Sequence, residues 1–307
     1  MPKIKYRKCR FQKPSLEIID RAVAIVREYL ADGFDLTLRQ LYYQFVARGI
    51  LPNNDKEYKK LGLIVNDARL AGLIDWDAIV DRTRPSRGNQ HWRSPQDIIT
   101  AIGRQFKIDT RADQACYVEV WVEKDALIGV LERICIEIDV PYFSSRGYVS
   151  QSSMWEAAQR FIGQERKGKE SHLIHLGDHD PSGIDMTRDI QDRLQLFLSR
   201  CEVDRIALTM EQVKEYNPPP NPAKITDSRC KTYIAEHGEE SWELDALDPH
   251  TITRLIQDEV EHLTDEEKRD ALIATQDSHR EDILMVANKW NFVVAQIKRA
   301  KKRRYRE

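Results

Sequence analysis

The sequence predicts a mixed α/β protein: a helical, basic N-terminal part, then an α/β domain with a parallel sheet, then a helical C-terminal extension. Three observations predict it. Helix-period apolar patterns with start and stop signals fill most of residues 15–71. Two β-rich runs, Tyr117–Lys124 and His172–Leu176, each end at acidic residues and lead into a helix-like segment. From Pro249 onward the pattern is again helical. Strands alternating with helices are the signature of a parallel sheet covered by helices.

Composition bounds the rest. The 307 residues give room for about two domains. An apolar fraction of 41% can supply cores, and 32% charged residues suit a soluble chain. No 18-residue apolar run is present, which argues against a membrane span. The Lys/Arg-rich start has no apolar stretch, so it is not a secretory signal. Five scattered cysteines with no Cys-x-x-Cys argue against a zinc cluster or disulfide framework and for a reducing cytoplasm. The net charge of −2 is unevenly shared: residues 1–110 hold 20 Lys+Arg against 13 Asp+Glu, and the remainder 28 against 37. A basic front suggests contact with a polyanion. Compositional drift alone could also produce it.

In chain order, residues 3–13 form a basic arm, either a phosphate grip or a tail. A helix follows from Ser15 to about Ala31, with Leu16, Ile19, Val23, Val26 and Leu30 on one side and Gly33 as its stop. Thr37-Leu-Arg-Gln40 is a capping box that opens a second helix ending near Gly49. A third runs from Asp55 to about Ala71, with Lys56, Lys59, Lys60 and Asn66 on one broad face. Leu73–Trp76 and Val80–Arg84 then read as short β pieces. Three helices followed by a small β element is a winged-helix order, which places the later helix in a DNA major groove. Arg82, Arg84, Arg87 and Arg93 could line the flanking phosphates.

Another helix runs from Ser94-Pro95 to about Lys107, and 108–116 reads as a linker. Residues 117–210 give strand, helix, strand, helix, strand, with Ser150–Glu165 a helix and Ile206–Thr209 the last strand. Asn217–Pro222 breaks regular structure. Beyond it, Glu243 and Asp245 are either further site carboxylates or caps of the helix starting near Pro249. Lys298–Arg306 is a basic end, read as a solvated helix end or a nucleic-acid arm. The expected domains are therefore 1–110, 111–216 and 217–307. No Gly-rich phosphate loop is present, so no ATPase is expected in this chain.

The chemistry concentrates in His172-Leu-Ile-His-Leu-Gly-Asp-His-Asp-Pro-Ser-Gly183. Sites in open α/β sheets lie beyond the carboxyl ends of the strands. Asp178 and Asp180 at such an exit can aim at one point, and Gly183 lets backbone come close. Glu123 at the end of the earlier strand completes a three-carboxylate set suited to a hard cation such as Mg²⁺. The alternative is that Asp178 and Asp180 only cap the next helix. On the second helix, Leu38, Leu41, Tyr42 and Phe45 share a face, so Tyr42 is expected in the core. Tyr43 falls to the side with Arg39 one turn before it, expected free to reach solvent or a partner. A phenol beside a guanidinium is suited to nucleophilic attack on a phosphate.

These residues carry a resemblance. Glu123, Asp178-His179-Asp180 and Pro181-Ser182-Gly183 resemble the Toprim signature of topoisomerases, primases and related nucleases. The form Asp-x-Asp-Pro-x-Gly looks closest to the A subunit of type IIB DNA topoisomerase (topoisomerase VI) and its meiotic double-strand-break relatives. Arg146-Gly147-Tyr148 is similar to a Gly-Tyr turn of that family, with Val149 where the family usually has Pro. Arg39-Gln-Leu-Tyr-Tyr43 resembles its catalytic-tyrosine motif, with Gln40 where many members have an acid. The resemblance spans roughly residues 35–200 and implies a winged-helix domain followed by a Toprim-like domain. It implies DNA strand cleavage with Tyr43 as nucleophile and Arg39 steadying the transition state. Glu123, Asp178 and Asp180 would hold Mg²⁺ or Mn²⁺, and Lys56, Lys59, Lys60, Arg82 and Arg84 would contact DNA. It also implies a homodimer that pairs one protomer's tyrosine with the other's carboxylates, and a separate ATPase subunit. Two alternatives stay open: a hydrolytic Toprim nuclease using activated water, and a non-catalytic DNA-binding module.

Overall fold

The first helix, α1 (Lys13–Ala31), begins with Pro14 inside its first turn, where a missing N–H costs nothing. It buries Ile19, Ala22, Ile25, Val26 and Tyr29, while Leu16 and Leu30 stay exposed, so the core stripe is rotated from the one expected. Helix α2 (Leu38–Ala47) opens on the reciprocal capping box read from the sequence: Gln40 N donates to Thr37 Oγ1, and Thr37 N donates to Gln40 Oε1. Helix α3 (Asp55–Leu70) is capped by Asn54 and packs Leu61, Val65 and Ala68 inward. The expected β piece at Leu73–Trp76 is a turn, its backbone tied to α3 by Leu73 N donating to Ala68 O. A single parallel bridge, Leu36 to Ile79, is the β pairing of this region among the described residues. The computed structural model describes residues 3–80, 89, 91–223 and 229–304. Arg82, Arg84 and Arg87 lie outside them.

The sheet is built from β1 (Cys116–Val122), β2 (Tyr142–Ser144), β3 (Glu170–Leu176) and β4 (Glu202–Ala207). All pairings are parallel, in the order β2-β1-β3-β4. Between them come α5 (Ile128–Glu137), α6 (Gln151–Glu165) and α7 (Pro181–Leu196). Residues point alternately to the two faces. Val118, Val120, Val122, Ile174 and Leu176 pack on one side with Val130, Leu131 and Ile134 of α5. Trp121 and Leu173 pack on the other with Met154 and Phe161 of α6 and Ile190 and Leu194 of α7. Each buried side chain of this size contributes about 1.5–3 kcal/mol. One acid lies within the second core. Glu119 is 2% exposed and takes both guanidinium arms of Arg160 at 2.8 and 2.9 Å, plus Trp121 Nε1 at 2.9 Å. It is fully partnered, as a buried charge must be.

After the sheet come α8 (Met210–Tyr216), a two-residue antiparallel pairing of β5 (Asn221–Pro222) with β6 (Glu240–Ser241), and α9 (Cys230–His237) between them. Helix α10 (Pro249–His262) is capped by Asp248 and lies with α5 over the first face of the sheet. The core of α1–α3 is continuous with that of this face, so no boundary falls between them.

The compact units therefore differ from the three segments expected. One comprises Met1–Pro85 with Cys116–Leu263, the other Ser86–Ala115 with Thr264–Glu307. In the second unit, α4 (Pro95–Gln105) packs on α11 (Glu266–Asn288), close enough that a Cβ on Gly103 would stand 3.0 Å from Ile283 and Leu284. The expected linker at 108–116 is structural there: Ile108 N donates to Gln276 Oε1 and Gln114 Nε2 to Asp265 O. Helix α12 (Trp290–Arg304) follows. Among the described residues no helix is long and apolar enough to cross a membrane.

Candidate active site

In this strand order the chain leaves β1 toward one side and reaches β3 on the other, so the switch point lies between β1 and β3. Val122 and Leu176 are register partners there, and Glu123 and the Gly177–Asp180 loop are the residues that follow them. The backbone continues the ladder past the strands: Glu123 N donates to Leu176 O and Gly177 N to Ala207 O.

Half-buried Arg205 on β4 holds the loop. Its Nη2 reaches Gly177 O and Asp178 O at 3.0 and 2.6 Å, and its Nη1 reaches Gly183 O at 2.9 Å. Hydrogen bonds from a charged donor are worth about 1.5–3 kcal/mol each. Beside it His175 is fully buried, its Nδ1 on Thr187 Oγ1 at 2.8 Å. Burial, and then Arg205, push this imidazole down to about 3, so it is neutral at pH 7. Gly183 approaches as expected: a Cβ there would stand 2.2 Å from Asp178 O.

Asp178 and Asp180 do different work. Asp180 Oδ1 accepts from Gly183 N at 2.7 Å as the N-cap of α7, the alternative role for this pair. Asp178 does not cap. Its Oδ1 accepts from Leu244 N at 2.8 Å, and its Oδ2 is 2.9 Å from Lys124 Nζ. Glu123 Oε2 accepts from Asp178 N at 3.0 Å.

Sequence patterns leave Lys124 out and Glu243 and Asp245 undecided, and the fold brings all three in. An antiparallel bridge between His179 and Trp242 lays the later segment along the loop. Lys124 Nζ then lies 2.9 Å from Glu243 Oε2 and 3.0 Å from Asp245 Oδ1, besides Asp178. Asp248, not either of these acids, caps α10. Arg39 pairs with Glu243 and approaches Asp245 Oδ2 at 3.2 Å.

Tyr43 is the correction at this site. It is 3% exposed rather than free, because α2 packs against the turn at Leu244–Ala246. Its oxygen accepts from Arg39 Nη2 at 3.3 Å, and the same nitrogen pairs with Glu243. Burial, then Asp245 and Glu243, raise its pKa well above that of a free phenol despite Arg39. A resting phenolate is therefore excluded. Tyr42 is core as expected, its hydroxyl on Pro52 O and Asn54 O at 3.1 and 3.0 Å.

Five carboxylates (Glu123, Asp178, Asp180, Glu243, Asp245) thus share the site with three cations (Lys124, Arg39, Arg205), leaving two negative charges uncompensated. Burial is the leading cause that pushes Asp178 and Asp245 up to about 6. Asp245 Oδ2 is buried with no hydrogen bond. An all-oxygen set with this charge deficit fits one hard dication. It is not assembled as a tight triad. Among the described residues, the group of three possible ligands whose atoms all lie within 4.8 Å of one another is Cys116, Glu170 and His172, elsewhere on the sheet.

Of the expected DNA contacts, Lys56, Lys59 and Lys60 lie on α3, where Lys60 keeps more than half of its side chain exposed, and Arg93 is exposed before α4. Comparison of the chain with protein-family models, curated proteins and solved structures gives no match.

Proposed function

We propose that this chain cuts DNA with Tyr43 as nucleophile, in the manner of the winged-helix and Toprim proteins its motifs resemble. The observation that carries the reading is that Arg39 Nη2 reaches both the Tyr43 oxygen and Glu243, while Lys124 joins Glu243 to Asp178 beyond the end of β3. The phenol keeps its proton at rest, so ionisation must accompany attack, and Glu243, held by the same Arg39, would take that proton. Burial works against its charge, but Lys124, then Arg39 and Tyr43, hold it ionised, down to about 2. Arg39 remains beside the developing phenolate and the phosphate it attacks. As the Tyr43 oxygen bonds to phosphorus, the bond to the 3′ oxygen breaks and that oxygen takes up a proton. Glu123, Asp178 and Asp180, with Asp245 alongside, would hold Mg²⁺ or Mn²⁺, which would supply charge neutralisation and orientation of the phosphate for in-line displacement. The phenol and the acids it would work with lie in one chain. A centre within one chain departs from the resemblance, which implies a homodimer pairing one protomer's tyrosine with the other's carboxylates; an ATPase subunit would be a separate chain.

Hydrolysis by activated water is a second reading, favoured by the burial of Tyr43. Plasmid cleavage with Mg²⁺ or Mn²⁺, resolved with and without protease digestion, separates the two. The expected result is metal-dependent cutting with protein covalently attached, abolished in Asp178→Asn, and no adduct in Tyr43→Phe. Adduct-free cutting that persists in Tyr43→Phe establishes the hydrolase instead. Cutting by Asp178→Asn at the wild-type rate removes the metal site, and DNA binding without any cutting leaves a binding module.

A further inference from the structure

We propose that the edge of the sheet opposite the candidate active site is a zinc site formed by Cys116, Glu170 and His172. No Cys-x-x-Cys spacing announces it, because the ligands come from neighbouring strands. Cys116 opens β1 and Glu170 opens β3, and the two are register partners. His172 follows Glu170 by two residues and so shares its face of the sheet. One ligand atom from each lies within 4.8 Å of the other two. Bonds of about 2.0–2.3 Å in a tetrahedral zinc site bring ligand atoms to about 3.3–3.8 Å apart, so only a small contraction is needed. Glu170 is exposed and can rotate to supply it.

The surroundings favour a dication. Glu202 on β4 is the register partner of His172. The His172 Nδ1 atom stands 3.6 Å from Asp204 Oδ2 and 3.9 Å from Glu202 Oε2. A carboxylate beside one ring nitrogen orients an imidazole and strengthens it as a ligand through the other. Thiolate with imidazole selects zinc over magnesium, the reverse of the all-oxygen cluster at the other edge. The two edges are six residues apart along β1, or about 20 Å at a strand's rise. Binding releases the Cys116 thiol proton and ties β1 to β3 where the strands begin. Solvent completes the coordination.

Cobalt(II) is the probe, because its spectrum reports a sulfur ligand. One equivalent added to the metal-free full chain is expected to give thiolate-to-cobalt charge-transfer absorption with visible bands of four-coordinate geometry. The charge-transfer band is expected to disappear in Cys116→Ser and to persist in Asp178→Asn, which changes only the other edge. Glu170→Gln, at an exposed position that leaves folding intact, is expected to weaken cobalt binding at least about tenfold. A wild-type chain without the charge-transfer band, or a band that survives Cys116→Ser, overturns the assignment. Unchanged affinity in Glu170→Gln overturns it as well.

Discussion

Lys124 holds three carboxylates at 2.9–3.0 Å from a position only 22% exposed. Burial works against its ammonium, but Asp245, Asp178 and Glu243 override that and raise its pKa. Removing one member of a buried ion cluster strands the others, at a cost of about 3–5 kcal/mol. Lys124→Met is therefore expected to lose roughly 3 kcal/mol in urea unfolding without metal. Millimolar Mg²⁺ should raise its melting temperature more than that of wild type. Equal stability of the two metal-free proteins would show that the ammonium is not the counter-ion. Residues whose role is local were legible in the sequence. Glu123 and Asp178 were found because each ends an apolar run, and Gly183 because it follows the loop. Tyr43 was misplaced because what covers it, the segment around Glu243, lies 200 residues away, and helical periodicity sees only its own neighbours.

At the scale of elements, the entry to α7 is the tightest point of the site. A methyl group on Gly183 would stand 2.2 Å from Asp178 O, which Arg205 already grips at 2.6 Å. The carbonyl cannot retreat, so Gly183→Ala is expected to destabilise by about 1–3 kcal/mol or more. Gly163 in α6 has nothing within 4 Å of its Cβ position, and Gly163→Ala should instead stabilise by about 0.5–1 kcal/mol. Denaturant melts of both variants decide it, and equal effects would remove the close approach from the account. Helix α2 was legible from Thr37 and Gln40, and β1 and β3 from their β-rich composition. Strand β2 was not, since three residues, Tyr142–Ser144, carry no periodicity. Leu73–Trp76 misled because its apolar start resembles a strand, while its backbone is spent closing α3.

Over the whole molecule, charge separates front from rear, and Lys56, Lys59 and Lys60 stand on α3 within the basic part. If α3 meets DNA, changing all three to Gln should weaken binding and flatten its salt dependence by roughly one unit of slope for each phosphate no longer neutralised. An unchanged slope in the triple variant takes this helix out of the interface. The mixed α/β class was legible because strands and helices alternate from 117 to 210. The division into units was not. Compact units are set by long-range packing, and here one core joins α1–α3 to the sheet while 108–114 fasten to residues 265 and 276.

The bridge between His179 and Trp242 has a consequence for synthesis. A ribosome that has released residues 1–200 has made Tyr43, Arg39, Glu123, Lys124, Asp178 and Asp180, yet Glu243 and Asp245 are still to come. Contacts between residues so distant form late. Until the last of these acids emerges, Arg39 lacks Glu243 and Asp245, and Lys124 has only one of its three carboxylates. If Tyr43 cuts DNA as proposed, the nascent chain is unarmed toward nucleic acid, and competence arrives with the segment that closes the fold.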